Sequence, residues 1–205
     1  MRYRAVLFDL LTALLDSWTV WDRAAGGQAA GRAWRAAYLK LTYGCGAYRP
    51  YEALVAEAAE EVGLDHSHAG RLEGLWGTIE PWPDVAPVLG ALRKTHRLGV
   101  VTNCSERLGR AAAAQAGVPF DVIVTSERAG AYKPELRPYA LALEEIGLPA
   151  REVLFVAGSA FDLFGTAKAG MDTYWHNRVG LAAPQGAPAP LVHARDLSRL
   201  LPLAN

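Results

Sequence analysis

The chain has 205 residues, of which 51% are apolar and 20% are charged, and its 21 lysines and arginines balance 21 aspartates and glutamates. This composition excludes a disordered protein, and no block of like charges indicates a nucleic-acid or membrane-surface partner, so we expect a small-molecule ligand. The length fits one α/β domain with an insertion, or two small domains.

Several features bear on the compartment and on metal binding. The two cysteines, Cys45 and Cys104, lie far apart and form no Cys-x-x-Cys pair. No apolar run reaches the ~18–20 residues that a membrane-spanning helix needs. A predicted strand directly follows residues 1–4, so we expect no signal peptide and a cytoplasmic location. The five histidines show no ligand spacing apart from His66-Ser67-His68, so we predict no metal site.

The first strand is predicted from a continuous apolar run, Ala5-Val6-Leu7-Phe8, that leads directly into Asp9. Such a run suits a strand buried on both faces of a parallel sheet. Because open α/β sheets carry their sites at the carboxyl ends of the strands, Asp9 is a candidate active-site carboxylate. A turn cap, or the partner of a buried lysine, is the structural alternative for Asp9.

The remaining elements are predicted in chain order from apolar periodicity and from Pro and Gly signals. Helical patterns over 31–41 and 50–62 indicate a helical insertion behind the first strand. Strands then follow at 98–103, 120–125, 152–157 and from 172, with helices at 85–94, 105–116, 134–146, 164–169 and 194–201. This alternation predicts βαβ units. The fold class is therefore α/β: a Rossmann-like, doubly wound parallel sheet (residues 1–15 and 83–205) with a helical cap domain (residues 16–82).

Polar groups follow four of these strands and are expected to meet at one edge of the sheet. They are Asp9, Thr102-Asn103, Lys133 in the segment Tyr132-Lys133-Pro134, and Ser159 with Asp162. Their order and spacing resemble the four motifs of the haloacid dehalogenase superfamily. The helical insertion is similar to the cap domain of that superfamily.

Two positions separate the branches of that superfamily. Its phosphatases carry a second acid two residues after the nucleophile, and a magnesium-binding acid four residues before the last aspartate of the fourth motif. Here these positions are Leu11 and Gly158, which leaves few oxygen ligands for Mg²⁺ and no proton donor for a leaving alcohol. Halide leaves without a proton, so the resemblance favours a metal-independent dehalogenase without a cofactor, and Mg²⁺ enters only in the phosphatase alternative.

Further segments are similar to the L-2-haloacid dehalogenase branch, with two departures. Ala33-Trp34-Arg35 resembles its halide-gripping segment, and Ala160-Phe161-Asp162 resembles its Ala-Trp-Asp. That branch has a Thr where this chain has Ala13, with Thr12 one residue away as the nearest substitute. It also has Ser-Ser-Asn where this chain reads Ala157-Gly158-Ser159.

The resemblance implies a role for each candidate residue. Asp9 attacks the carbon that bears the halogen, and water hydrolyses the resulting ester. Lys133 keeps Asp9 ionised, and Asp162 orients Lys133 or the water. Thr102 and Asn103 donate to the substrate carboxylate, unless they are simple helix caps. The other candidates for substrate binding are Arg35, with Arg32 and Arg49 as rivals, and Thr12, Ser159 and Tyr139.

Two alternatives to the dehalogenase stay open at this point. One is a phosphatase of the same superfamily with a degraded Mg²⁺ site. The other is a non-catalytic module that binds small anions, which Ala13, Ala157 and Ser159 favour. The expected partner in every case is a small anionic molecule, without nucleic acid or membrane, and a homodimer is compatible with the resemblance.

Overall fold

The computed structural model describes residues 2–204 and places a six-stranded sheet at the centre of the chain. Its strands are β1 (Ala5–Phe8), β2 (Arg97–Thr102), β3 (Val122–Thr125), β4 (Val153–Ala157), β5 (Asp172–His176) and β6 (Val192–Ala194). They lie in the order β3-β2-β1-β4-β5-β6, and each neighbouring pair is parallel. The predicted α/β fold with a parallel sheet is confirmed.

The sheet order places the end of β1 at a topological switch point. From β1 the chain proceeds outward through β2 and β3 on one side, and later through β4, β5 and β6 on the other. Connections on the two sides diverge there and leave a crevice beyond the carboxyl ends of the strands. Asp9 directly follows β1 and therefore lies at this crevice.

Helices cover both faces of the sheet and form the insertion. They are α1 (Ser17–Ala24), α2 (Gln28–Gly44), α3 (Tyr51–Glu61), α4 (Ser67–Leu75), α5 (Val85–Leu92), α6 (Glu106–Gln115), α7 (Ser126–Ala129), α8 (Leu136–Ile146), α9 (Asp162–Ala169) and α10 (Leu200–Ala204). Residues alternate between the two faces of β1: Val6 and Phe8 join one core cluster, while Ala5 and Leu7 join the other. No helix of the described range 2–204 is both long and apolar enough to cross a membrane.

The inserted helices α1–α4 share an aromatic core. The ring centroids of Trp21 and Trp34 are 4.8 Å apart, and those of Tyr38 and Tyr51 are 5.4 Å apart. This core is continuous with the cluster on one face of the sheet, so the insertion packs directly over the crevice. The chain leaves and re-enters the sheet region at an antiparallel bridge between Leu15 and Pro81. The division into core and cap at residues 16 and 82 stays a prediction, and this bridge lies beside both of its boundaries.

The C-terminal region differs from the sequence prediction. A helix was expected over 194–201, but residues Val192–Ala194 form β6, and α10 begins only at Leu200. The pairing of β6 with β5 aligns Tyr174 with Val192 and His176 with Ala194. A three-residue strand is too short to show a period in sequence, and the backbone of β5 supplies the hydrogen bonds that define it.

Candidate active site

Asp9 is held by a turn of the chain that directly follows β1. Its Oδ2 accepts hydrogen bonds from Thr12 N (2.9 Å), Thr12 Oγ1 (2.5 Å) and Ala13 N (3.1 Å). Its Oδ1 accepts one, from Lys133 Nζ at 2.9 Å. Residues 10–14 form this turn, in which Leu14 N donates to the carbonyl of Leu10. Oδ2 is therefore saturated with donors, while Oδ1 keeps a lone pair for chemistry.

Lys133 lies between two carboxylates. Its Nζ is 2.9 Å from Asp9 Oδ1 and 2.9 Å from Asp162 Oδ1, and all three residues are buried. Asn103 fixes the Lys133 backbone from both sides, because its Oδ1 accepts from Lys133 N (2.8 Å) and its Nδ2 donates to Lys133 O (3.0 Å). The predicted strand-end residues Asp9, Asn103, Lys133 and Asp162 thus lie together.

The three ionisable groups have shifted pKa values. Burial alone would raise the pKa of Asp9, but the Lys133 charge and the hydrogen bonds from Thr12 and Lys133 outweigh it and hold that pKa below its usual value. Burial alone would lower the pKa of Lys133, but the charges of Asp162 and Asp9 raise it. Burial, together with the charge of Asp9, raises the pKa of Asp162 despite the opposing effect of Lys133. Asp9 is therefore a stable anion beside a stable cation, and Asp162 is the readier proton acceptor.

Asp162 keeps one oxygen free of hydrogen bonds. Its Oδ1 accepts from Lys133 and from the Tyr139 hydroxyl, which is 2.6 Å away. Its Oδ2 is buried and has no hydrogen-bond partner among residues 2–204. A buried carboxylate oxygen without a donor is costly, so it is suited to receive a proton or to bind a polar ligand.

Arg35 approaches Asp9 from the inserted helices. It lies on α2, is buried, and donates from Nη1 to Ser17 Oγ at 2.9 Å. Its guanidinium carbon lies 4.0 Å from the centroid of the Trp18 ring, an arrangement that favours a desolvated cation. Ser17 in turn donates to the carbonyl of Leu11 in the turn that holds Asp9. The cation therefore has a fixed position relative to the carboxylate.

A cavity of about 70 Å³ lies between these groups. Asp9, Lys133, Asp162 and Arg35 line it with charge, whereas Leu39 and Phe161 provide apolar walls. Charges of both signs around so small an apolar space suit a compact anionic substrate.

The other predicted site residues lie at different distances from this cavity. Thr12 and Ser159 line it, and the Thr12 hydroxyl donates to Asp9 as expected of a substitute for the hydroxyl missing at Ala13. Thr102 is buried and absent from the cavity lining, and its hydroxyl has no partner among residues 2–204. Tyr139 lies behind Asp162.

The rival arginines lie farther out than Arg35. Arg49 is exposed and pairs with Glu57 at 2.6 Å. Arg32 is exposed and lines a wider opening beside Trp18.

Sequence reasoning missed Tyr43, which lines the cavity. The sequence did contain a signal for this residue, because Arg35, Leu39 and Tyr43 are spaced four residues apart on α2 and therefore share one helix face.

The sequence analysis also gave no structural role to Gly158. A Cβ built on Gly158 would lie 2.5 Å from the carbonyl carbon of Thr12, so only glycine lets β4 end against the Asp9 turn.

The donor set does not fit a magnesium ion. The two carboxylates, Asp9 and Asp162, are bridged by the Lys133 ammonium, and Leu11 and Gly158 add no oxygen ligand from their side chains. Within residues 2–204 no group of three His, Cys, Asp or Glu side chains lies close enough together to hold a metal. Mg²⁺ prefers six oxygen ligands, several of them anionic or water.

Comparison with known proteins agrees with this geometry. The chain matches haloacid dehalogenase-like hydrolases over residues 3–170, and it belongs to that hydrolase family, as the motif resemblance predicted. It is 28% identical to haloacetate dehalogenase H-2 of Moraxella sp. (strain B) over 92% of both chains. The solved structure of the L-2-haloacid dehalogenase RSc1362 superposes with a TM-score of 0.87 at 27% identity, covering 100% of this chain and 99% of the other. A shorter match, 32% identical over 59% of this chain and 56% of the relative, is with the pyrimidine 5'-nucleotidase YjjG of Escherichia coli (strain K12).

Proposed function

We propose that this hydrolase cleaves the carbon–halogen bond of short 2-haloacids, without a metal or cofactor, through an ester formed on Asp9. The observation that carries the proposal is the state of Asp9: an ionised carboxylate with one saturated oxygen and one open oxygen, facing a small cavity. Similarity to the haloacetate and L-2-haloacid dehalogenases supports this choice of substrate.

In the first step Asp9 Oδ1 attacks the carbon that bears the halogen. The new C–O bond forms as the carbon–halogen bond breaks, and the halide leaves with the bonding electrons. Arg35 is a buried cation that lines the same cavity, and we assign it to the halide or to the substrate carboxylate. No proton is transferred in this step, so the absence of an acid at Leu11 costs nothing.

In the second step water hydrolyses the ester. The water oxygen bonds to the Asp9 carboxyl carbon, and its proton passes to the free Oδ2 of Asp162. Negative charge then develops on Asp9 Oδ2, which Thr12 N, Thr12 Oγ1 and Ala13 N already surround as an oxyanion hole. Collapse breaks the bond between the Asp9 carboxyl carbon and Oδ1 and releases a 2-hydroxyacid whose hydroxyl oxygen is the former Oδ1, and Asp162 returns its proton to that oxygen. The second proton of the water stays on the new Asp9 carboxyl group and passes to solvent, which regenerates the Asp9 carboxylate.

The nucleotidase relative raises phosphate-ester hydrolysis as the second candidate function. Leu11 opposes it, because this side chain lines the cavity where a phosphatase needs a proton donor for the leaving alcohol. The donor set around Asp9, which does not fit Mg²⁺, opposes it as well.

The test is halide release from each enantiomer of 2-chloropropionate, with and without EDTA, by the intact chain and by Asp9→Asn. We expect release that EDTA leaves unchanged and that Asp9→Asn abolishes, since an amide oxygen is a poor nucleophile. Asp65→Asn is the matched control, because Asp65 is an exposed residue of the loop before α4. Phosphate release from a phosphate ester that occurs only with added Mg²⁺ would favour the phosphatase. Absence of both halide release and phosphate release in the intact chain would favour the binding module.

The proposal extends to the assembly and location of the enzyme. We propose a cytoplasmic enzyme whose partner is its small haloacid substrate, and a homodimer in keeping with the family resemblance. Light scattering of the purified chain measures its mass in solution and tests the dimer.

A further inference from the structure

Tyr43 lies where the inserted helices meet the end of β4. It belongs to the last turn of α2, and its ring centroid is 4.4 Å from that of Phe161, which directly precedes Asp162. The ring is half-buried and lines the same cavity as Asp9 and Asp162. The side chain therefore reaches the site from the inserted helices, whereas Asp9 directly follows β1.

The Tyr43 side chain has a polar neighbour, Ser159. Both side chains line the cavity, Ser159 Oγ accepts from Phe161 N at 3.3 Å, and interaction with the Ser159 side chain acts to lower the pKa of Tyr43. Burial and the charges of Asp162 and Asp9 raise the pKa of Tyr43, so its phenol stays protonated. A phenol and a serine hydroxyl that line one cavity offer both a donor and an acceptor to a molecule bound there.

We propose that Tyr43, together with the neighbouring Ser159 hydroxyl, is a positioning residue that holds the water molecule that hydrolyses the Asp9 ester. The inference rests on the proposed function and concerns its second step alone. One O–H of the water points to Asp162 Oδ2 and the other to the Tyr43–Ser159 pair, which leaves a lone pair for the Asp9 carboxyl carbon. A second hydrogen bond restricts the rotation of the attacking water, so its entropy cost falls before the reaction.

The first step makes no use of this pair. Halide departure involves Asp9 Oδ1, the substrate carbon and the halide, and no water takes part. Removal of the Tyr43 hydroxyl should therefore slow ester hydrolysis and leave ester formation unchanged. A residue that merely supports the packing of α2 would alter both steps, because Arg35 lies on the same helix face.

The experiment is single-turnover kinetics with L-2-chloropropionate and enzyme in excess. Ester formation and decay are followed by intact-mass spectrometry of quenched samples, and halide is measured in the same samples. The variants are Tyr43→Phe, which keeps the ring against Phe161, Ser159→Ala, and the double variant. We expect ester decay to slow by roughly 2- to 13-fold in each single variant, the effect of one neutral hydrogen bond, with unchanged ester formation. The double variant should be no slower than the slower single variant.

Tyr3→Phe is the matched control, since the Tyr3 hydroxyl bonds Asp172 at 2.7 Å at the other end of the sheet, and it should match the parent in both steps. The inference is overturned if Tyr43→Phe decays at the parent rate, if both steps slow together, or if the two single effects multiply. The proposed function fails on a different observation, namely an intact chain that releases no halide and forms no ester.

Discussion

Thr12→Val removes one of the three hydrogen-bond donors to Asp9 Oδ2. It tests whether these donors accelerate ester hydrolysis and leave the rate of ester formation unchanged. The hydroxyl of Thr12 lies 2.5 Å from Oδ2, while the amides of Thr12 and Ala13 stay in place in the variant. Valine keeps the shape and the β-branch of threonine. The change therefore removes one hydrogen bond to a charged oxygen and little else.

The expected magnitude follows from the charge on Oδ2 in each step. Ester formation draws negative charge off the Asp9 carboxylate, so a donor on Oδ2 does not accelerate it. Ester hydrolysis places a full charge on Oδ2, where a hydrogen bond to an ionised group contributes about 1.5–3 kcal/mol. Since ~1.4 kcal/mol corresponds to a factor of ten in rate, we expect hydrolysis to slow by roughly 10- to 150-fold.

The assay is rapid-quench measurement of the halide burst and of steady-state turnover with L-2-chloropropionate. Thr12→Val should keep the rate of the burst and lose turnover by the stated factor, and Thr12→Ser should restore turnover because serine keeps the hydroxyl. Thermal unfolding of each variant checks that the fold is intact. The reasoning is refuted if burst and turnover fall in parallel, or if Thr12→Ser behaves like Thr12→Val.

Two further predictions concern the same turn and the same charges. In Gly158→Ala the added Cβ lies 2.5 Å from the Thr12 carbonyl carbon and nearer still to other atoms of the turn. We therefore expect about 1–3 kcal/mol of destabilisation, measured by thermal unfolding, and loss of halide release in the halide assay. Unchanged turnover would contradict the close approach of β4 to the turn. Gly74→Ala, at an exposed position of helix α4 with open space around it, is the control and should gain about 0.5–1 kcal/mol of stability. As pH falls through the acidic range, Asp162 is protonated before Asp9, because the pKa of Asp162 is raised and that of Asp9 is lowered. Ester hydrolysis should therefore be lost before halide release, and the fraction of enzyme present as the ester should rise with acidity. If the rates of the halide burst and of turnover fall over the same pH range, Asp162 is not the proton acceptor in ester hydrolysis.

The sequence pattern predicted the sheet well because its central strands are buried on both faces. Strands β1 and β4 are continuous apolar runs, and their lengths of four and five residues exclude helices of ordinary size. The strand β6 was missed, since three residues carry no period and its pairing with β5 arises only in the folded chain.

In the site, the sequence predicted which residues lie together but not how their side chains are oriented. Parallel strands end at one edge, so Asp9, Lys133 and Asp162 were expected to meet there, and the 2.9 Å contacts of Lys133 show that they do. Thr102 and Asn103 were expected to act together, yet successive side chains at the end of a strand point in opposite directions, and only Asn103 lines the cavity. The side-chain amide of Asn103 is hydrogen-bonded to the backbone N–H and carbonyl of Lys133.

Residue order alone shows where the strands lie along the chain, that Asp9 follows the first of them, and that Leu11 supplies no second acid, because burial patterns and strand ends are local properties of the chain. The order of the strands within the sheet arises only in the folded chain. The partner of each side chain is not local. Thr12 donates to Asp9 through the geometry of one turn, Gly158 admits that turn through the approach of β4, and Tyr43 arrives from a helix more than thirty residues away along the chain. These contacts depend on how inserted helices and sheet pack together, so the fold, and not the order of residues, determines which groups surround Asp9.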